Sequence, residues 1–245
     1  FLHGLDHLPE IERLEWQKLL EKNNQLFKGA MLAREEFSSD ALNQKVGFTP
    51  SCVQPWLSCS SVAKPLINKS LQQQLKDYDP GQAIADTLDE AYLTGRHPLD
   101  RAQYVWIKTM LEGQILTWGG DRVDMANSME ARPAFLDHHL AEYAFTVPPH
   151  LRIKGNKEKY VLREAMKGLV PETLYKREKF AFMAPPAHTD PEKWKAVERL
   201  AEEFLSEQAV KDAGLLDFDA VQAVFARHSS SDVTAEEQVQ LDAVI

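Results

Sequence analysis

Apolar residues recur along this chain mainly at the three- and four-residue spacing of amphipathic helices, and clear alternation of apolar and polar residues is missing. We predict a first helix over residues 9–27, with Pro9 in its first turn. A second helix is predicted to begin at Asp79-Pro80 and to stop at Gly95. The side chains that it is expected to bury are Ile84, Leu88 and Ala91. The pattern predicts a mainly α fold.

Three further regions extend this prediction. Residues 99–117 are apolar on nearly every side, which predicts a central, buried helix. The acidic tail after residue 190 predicts two or three amphipathic helices, with a break at 229–232. Their expected apolar anchors are Phe204 and Leu205 in one helix, and Val221, Val224 and Phe225 in another. Residues 46–61, rich in proline and serine, predict a surface loop.

Composition narrows the class of protein. A chain of 245 residues can bury one sizeable core or two modest ones. A net charge of −9 argues against a general nucleic-acid binder, and no apolar run is long enough for a membrane helix. Cys52 and Cys59 are predicted to be reduced thiols of a cytoplasmic protein. The first residues lack an initiator Met and the build of a secretory signal, so we expect a piece of a longer protein.

The charge is unevenly distributed along the chain. Residues 152–179 contain nine basic and four acidic side chains, a balance of +5, so the rest of the chain carries −14. Such a positive segment is a candidate anion site. Within it, Lys159, Arg163 and Lys167 recur every four residues and are predicted to share one helix face. This stripe is either a cationic surface for phosphate oxygens or a solvated face with Lys/Glu pairs.

Several common motifs are absent from the sequence. It has no G-x-x-x-x-G-K-[ST] phosphate loop, no G-x-G-x-x-G fingerprint and no G-x-S-x-G elbow. The histidines show no metal-ligand spacing, and the adjacent His138 and His139 would point about 100° apart on a helix. We therefore predict no metal site in this chain.

Residues 120–140 place charged side chains inside an apolar stretch. They include Asp121, Glu130, Arg132 and Asp137. Charges in apolar surroundings are usually paired, because removing one partner of a buried pair costs about 3–5 kcal/mol. The charges form either a buried ion-pair network beneath an active site or a purely structural clamp between helices.

The segment GDRVDMANSMEARPAFLDHHL closely resembles the DRxSMAxSxExRxPFLDH signature of asparagine synthetases. Downstream, residues 158–165 resemble the KYxLRxA block of this family, and residues 177–185 resemble its RxKxGFxxP block. The resemblance covers roughly residues 100–187. Asp124 stands where serine is usual, Pro133 is displaced by one position, and Ala181 replaces a glycine.

This resemblance implies that residues 1–245 are the helical C-terminal part of a PP-loop ATPase-type (adenine nucleotide α-hydrolase-like) α/β synthetase domain. In the family, aspartate is activated with ATP and Mg²⁺ as β-aspartyl-AMP. An N-terminal glutaminase domain releases ammonia from glutamine, and this ammonia then displaces AMP to form the amide. The SGGxDS and GEGxDE motifs that hold ATP and Mg²⁺, and the glutaminase domain, do not occur in this sequence. The fragment alone is therefore expected to be inactive.

The resemblance also implies residue roles. Lys159 is the expected catalytic lysine, Arg163 and Lys167 are candidate phosphate-binding residues, and the four charged residues named in segment 120–140 are expected to support the site. Two alternatives remain open. One is a degenerate relative that acts as an interaction or regulatory protein, and the other is a related synthetase that forms a different amide, such as a β-lactam.

Overall fold

The computed structural model describes residues 9–11, 14, 37–117, 119–155, 157–177, 191–228 and 234–244. The described chain divides into two compact units. Unit 1 is drawn from residues 1–88 and 185–245, and unit 2 from residues 89–184. Helices dominate both units, which agrees with the predicted mainly α fold. None of the described helices is long and apolar enough to cross a bilayer.

The α-helices are, in chain order, α1 (Asp40–Val46), α2 (Gln54–Ala63), α3 (Lys69–Gln74), α4 (Pro80–Asp86), α5 (Pro98–Trp106), α6 (Asp121–Ala126), α7 (His138–Thr146), α8 (Pro149–Arg152), α9 (Tyr160–Met166), α10 (Glu172–Lys176), α11 (Pro191–Phe204), α12 (Glu207–Ala213), α13 (Phe218–His228) and α14 (Ala235–Val244). A π-helix spans Ile107–Ile115, and 3₁₀ turns span Ser51–Val53, Lys64–Leu66, Glu90–Tyr92 and Ala134–Leu136. The strands β1 (Ile153–Lys154) and β2 (Lys157–Glu158) form an antiparallel hairpin.

The beginning of unit 1 depends on local caps and one close contact. The Ser39 side chain accepts a hydrogen bond from the backbone N–H of Leu42 and so starts α1, and Gly47, with a left-handed φ of 91°, ends it. α4 packs against α1 and α2. At Gly81 in α4, an added Cβ would lie 2.0 Å from the Ser39 Oγ, so only glycine allows this approach.

Residues 46–61 are largely helical, so the predicted surface loop is wrong. The 3₁₀ turn at Ser51–Val53 leads directly into α2, and Val53 and Leu57 are buried. Pro55 lies in the first turn of α2, where the helix needs no backbone N–H from it. Proline therefore starts this helix, although it predicted a loop.

The helix predicted between Asp79 and Gly95 is correct only in its first half. Asp79 caps α4 by accepting from the N–H of Gly81 at 2.8 Å, and Leu88 is buried as predicted. The helix ends at Asp86, however, because the Asp89 side chain accepts from the N–H of Ala91 and begins a separate 3₁₀ turn. Ala91 is therefore exposed, and Ile84 is half-buried.

The main core of unit 1 joins its first and last segments. It contains Leu66, Val221, Val224, Leu241 and Val244. Trp194, Leu205, Leu216, Ala220 and Phe225 pack against it. Two backbone hydrogen bonds connect the same segments: the N–H of Asn68 donates to Leu215, and that of Asp217 donates to Leu66. Unit 1 is therefore closed by contacts between residues far apart in sequence.

The tail after residue 190 forms four described helices, α11 to α14, where two or three were predicted. The additional break arises because Ser206 caps α12 and Gly214, at a φ of 66°, ends it. Val221, Val224 and Phe225 anchor α13 as predicted, whereas Phe204 is exposed and leaves Leu205 as the apolar anchor. The predicted break at 229–232 lies outside the described residues.

The first predicted helix, 9–27, is described only in part: Glu10, Ile11 and Leu14 are helical, and the other positions lie outside the described residues. In unit 2, the prediction of a buried helix at 99–117 is wrong. α5 continues into the π-helix, but the two buried residues of this stretch, Val105 and Thr109, lie on one side. The remaining apolar side chains of the stretch are half-buried or exposed, because unit 2 covers that one side.

Candidate functional site

Lys159 lies at the junction between the β hairpin and α9. In the hairpin, Ile153 pairs with Glu158 and Lys154 with Lys157. Lys159 follows with a φ of 53° and a ψ of 38°, the left-handed conformation, and its carbonyl accepts from the N–H of Arg163 at 2.9 Å. The hairpin and the first turn of α9 therefore fix this lysine from both sides.

The conformation of Lys159 is costly for a residue with a side chain. A left-handed non-glycine residue costs roughly 1–2 kcal/mol, and such residues persist where the surrounding structure imposes them, often at functional sites. The side chain is exposed, and within the described residues its ammonium makes no hydrogen bond or ion pair. This places a positive charge without a partner beside a fixed corner of the backbone, an arrangement that suits an anionic ligand.

The aromatic neighbour of Lys159 also contacts the hairpin. The Lys154 Nζ lies 3.1 Å from the Tyr160 hydroxyl and 4.7 Å from the centroid of its ring. A cation over an aromatic face is stabilising by roughly 0.5–1 kcal/mol at an exposed site. This contact joins β1 to the first residue of α9, directly after Lys159.

The predicted stripe of Lys159, Arg163 and Lys167 on one helix face is wrong. α9 spans only Tyr160–Met166, so Lys159 precedes the helix and Lys167 follows it in an extended conformation. Gly168, with a φ of 79°, turns the chain immediately afterwards. The spacing of four residues is real, but the backbone conformation at both ends breaks the helix that the spacing predicted.

Arg163 is the member of this trio that lies within the helix. It is half-buried, and its Nη1 donates to the carbonyl oxygens of Tyr175 and Arg177 at 3.4 Å each. Next to it, the Glu164 Oε1 accepts from the Tyr175 hydroxyl at 3.1 Å, and this hydrogen bond raises the pKa of Tyr175 above its ordinary value. The side chain of Arg163 therefore contacts the C-terminus of α10, and Lys167 is exposed.

Segment 120–140 is largely exposed, so of the two alternatives for its charges the buried ion-pair network is wrong. Arg132 Nε and Nη2 bind the two carboxylate oxygens of Glu130 at 2.9 and 3.1 Å. The pairing is as predicted, but both side chains are mostly in solvent. The two residues are close in sequence, so the pair needs no buried partner helix. The roles of the two residues in supporting the site stay predictions.

The other two predicted site-supporting residues of the segment, Asp121 and Asp137, lie at helix starts. Asp137 caps α7, because its Oδ1 accepts from the N–H groups of His139 at 3.0 Å and Leu140 at 3.2 Å. Asp121 lies in the first turn of α6, where a negative charge interacts favourably with the helix dipole. These contacts stabilise local structure.

Ser128 is a residue of this segment that the sequence reasoning missed. It follows α6 with a φ of 56°, while the N–H of Met129 donates to the Asp124 carbonyl at 2.9 Å. This is the hydrogen-bond pattern of a helix end that normally carries glycine or asparagine. No helix over Asp121–Ala126 was predicted from the sequence, so there was no signal for this helix end.

The described residues include the exposed ammonium of Lys159, which a phosphate could contact. Within the described ranges, no group of three or more His, Cys, Asp or Glu side chains could hold a metal ion. The His138 and His139 rings lie 3.8 Å apart between centroids. Lys159 can thus supply positive charge to a phosphate whose other ligands would come from elsewhere.

Comparison with known proteins defines the family. The sequence profile of the family described as Asparagine synthase matches residues 8–244, nearly the whole chain. The chain therefore belongs to the asparagine synthase family. No solved structure matches the chain significantly.

Curated relatives carry two kinds of name. Amidase chyE of Penicillium rubens is 37% identical over 134 residues, which are 51% of this chain and 19% of that protein. Glutamine-hydrolyzing asparagine synthetase 1 of Bacillus subtilis is 37% identical over 120 residues, 48% of this chain and 19% of that protein. A putative asparagine synthetase of Mycobacterium bovis is 30% identical over 169 residues, 68% of this chain and 25% of that protein. The chain spans about a fifth to a quarter of the length of these relatives.

Proposed function

We propose that this chain is the C-terminal part of the synthetase domain of a glutamine-dependent asparagine synthetase, and that Lys159 is its catalytic lysine. The family membership supports an amide-forming ligase that uses ATP. The observation that carries the role of Lys159 is its position: an exposed ammonium without a partner among the described residues, on a left-handed corner fixed by the hairpin and α9.

The proposed reaction has two steps. A β-carboxylate oxygen of aspartate attacks the α-phosphorus of ATP, and the bond from that phosphorus to the pyrophosphate oxygen breaks. Ammonia then attacks the activated carbonyl carbon, the bond to the AMP oxygen breaks, and a proton is lost from nitrogen. Mg²⁺ bound outside this chain would neutralise pyrophosphate. Lys159 would stabilise negative charge on the phosphate oxygens in the first step, because fixed positive charge acts most strongly where charge develops.

The test uses the full-length parent protein and aspartate-dependent exchange between ATP and pyrophosphate, which reports the first step alone. We expect Lys159→Ala to lower the exchange rate by about 100-fold or more, since removal of one such charge costs roughly 3 kcal/mol in the transition state. Glutaminase activity should be unchanged, because it does not use this step.

The matched control is Lys157→Ala, which removes another exposed lysine from the neighbouring strand. This variant should retain exchange within about twofold of the wild type. Normal exchange in Lys159→Ala would refute the role of the lysine. Absence of aspartate-dependent exchange in the wild type would refute asparagine synthesis.

A second candidate function is ATP-dependent formation of a different amide. The relatives named amidase, from Penicillium rubens and Gibberella zeae, favour it, because they match at 37% and 36% identity. The same exchange assay, run with a panel of carboxylic acids in place of aspartate, separates the two. Exchange with another acid and none with aspartate would select the second candidate.

A further inference from the structure

Arg163 connects two parts of the positively charged segment through different atoms. Its backbone N–H donates to the carbonyl of Lys159 at 2.9 Å, within the first turn of α9. Its guanidinium donates to the carbonyl of Arg177, the residue that follows α10. Arg163 therefore contacts the main chain of Lys159, the candidate catalytic lysine, and that of Arg177, a second cation.

The neighbouring side chain reinforces this connection. Glu164 accepts from the hydroxyl of Tyr175, whose own carbonyl accepts from Arg163. Arg163 and Glu164, which are consecutive in α9, thus contact the main chain and the side chain of Tyr175 in α10. An arginine that donates to the last carbonyls of a helix also interacts favourably with the negative end of the helix dipole.

These contacts commit one nitrogen of the Arg163 guanidinium to the main chain at the end of α10. This nitrogen, Nη1, already donates to two carbonyls, and the side chain is half-buried. Lys159, Lys176 and Arg177 are exposed. Lys176 pairs with Glu172 at 2.7 Å, whereas Lys159 and Arg177 combine an exposed side chain with a backbone carbonyl that accepts from Arg163.

We propose that Arg163, Glu164 and Tyr175 form a positioning clamp that fixes the C-terminus of α10, and with it Lys176 and Arg177, relative to Lys159. The clamp rests on the proposed function for its effect on catalysis, since it would set the spacing of the cations that meet the phosphates. Arg163 is thereby a positioning residue, and its guanidinium does not bind the nucleotide.

The kinetic test compares Arg163→Ala, Glu164→Gln and Tyr175→Phe in the full-length protein by ATP–pyrophosphate exchange. We expect all three to lower kcat, by about 10- to 100-fold for Arg163→Ala, because small misplacement of catalytic groups is costly. The KM for ATP should change by less than about threefold, since no ligand contact is lost. The fall in kcat of the double variant Arg163→Ala/Tyr175→Phe should be smaller than the product of the two single falls, because both substitutions release the same C-terminus of α10.

A phosphate ligand would behave differently. Arg163→Ala would then raise the KM for ATP by tenfold or more, Tyr175→Phe would act like the wild type, and the double variant would show independent effects. That set of results would overturn the clamp. Lys167→Ala, which removes an exposed cation after the same helix, is the matched control for the structure of α10 alone: amide hydrogen exchange at Leu174 and Tyr175 should stay at the wild-type rate.

A second readout does not depend on activity. Amide hydrogen exchange at Leu174 and Tyr175, whose N–H groups donate to Pro171, should become at least about fivefold faster in Arg163→Ala than in the wild type. Unchanged exchange there would refute the clamp, even if activity fell. If the wild type showed no aspartate-dependent ATP–pyrophosphate exchange, the proposed function would fail. The amide hydrogen exchange measurement would still test the clamp.

Discussion

The two units differ in how they treat their large apolar side chains. Unit 1 buries Leu42, Val46, Val53, Val221 and Leu241 almost completely. Unit 2 leaves many of its own in solvent: Met125, Met129, Phe135, Tyr143, Phe145 and Leu169 are each more than half exposed. Both units are helical, so helix formation alone does not determine burial. The difference lies in packing between elements.

Among the described residues of unit 2, many of the stabilising contacts are local. α6 and α9 are only six and seven residues long, and caps such as Asp137 and the exposed pair Glu130–Arg132 act between near neighbours in sequence. Short helices are marginal without tertiary packing. The family signature thus lies in the unit whose described residues have less core of their own. Four measurements can test this comparison.

The largest expected effect comes from emptying the core of unit 1. Leu241 is 1% exposed, so Leu241→Ala should lower the free energy of unfolding by about 2–5 kcal/mol. Phe145 of unit 2 is 70% exposed, and Phe145→Ala should change it by less than about 1 kcal/mol. Urea unfolding followed by circular dichroism measures both values. Equal losses in the two variants would contradict the difference between the units.

Glycine substitutions give the next largest effect. Gly81→Ala places its Cβ against Ser39 in unit 1 and should cost about 1–3 kcal/mol, because the side chain or backbone must shift. Gly113→Ala in the π-helix of unit 2 meets nothing within 4 Å and should stabilise by about 0.5–1 kcal/mol. Thermal unfolding of the two variants should therefore shift in opposite directions. A loss of stability in Gly113→Ala would contradict the open space beside Gly113.

Within unit 2, the left-handed backbone at Lys159 should have a measurable effect on stability. Lys159→Gly should be about 1 kcal/mol more stable than Lys159→Ala, because glycine adopts a positive φ without steric cost. Both variants should lose ATP–pyrophosphate exchange to the same extent, about 100-fold or more, since both lack the ammonium. Equal unfolding midpoints for the two variants would mean that the left-handed conformation is not imposed on this residue.

The smallest expected effect concerns pH and returns to unit 1. Hydrogen bonds from the Thr234 backbone, from Arg227 and from the Thr234 hydroxyl lower the pKa of Glu237 from 4.5 to about 2. The carboxylate therefore stabilises the fold fully above pH 4.5, and this contribution is lost as the pH falls towards 2. Glu237→Gln should be modestly less stable at pH 7 and should show a flatter fall in Tm between pH 4.5 and 2. An identical pH profile for variant and wild type would contradict this.

The sequence predicted the elements whose signals are local. Asp79 and Pro80 start a helix because capping and a fixed φ act within one turn. The helical spacing of Val221, Val224 and Phe225 requires only one surface to pack against, and these residues do face a core. The π-helix region failed for the opposite reason. Apolar residues on all its sides imply burial only if other elements surround it, and the amino-acid pattern does not say whether they do.

The candidate site was predictable in identity but not in geometry. Family motifs indicated Lys159, whose assigned role is still a prediction. The four-residue spacing suggested one cationic helix face, but the left-handed backbone at Lys159 and the turn at Gly168 are set by the hairpin and by the chain reversal. The contacts of Arg163 with α10 also join residues twelve and fourteen positions apart, beyond the reach of helical periodicity.

The two thiols offer a spectroscopic consequence of the way unit 1 packs. Burial raises the pKa of Cys52 to about 11, whereas Cys59, on α2, is exposed. A maleimide dye at neutral pH should therefore attach to Cys59 first, since alkylation requires an accessible thiolate. The slower rate of reaction at Cys52 would then report how often the 3₁₀ turn before α2 opens. The native chain therefore contains both a labelling site and a probe of its local unfolding.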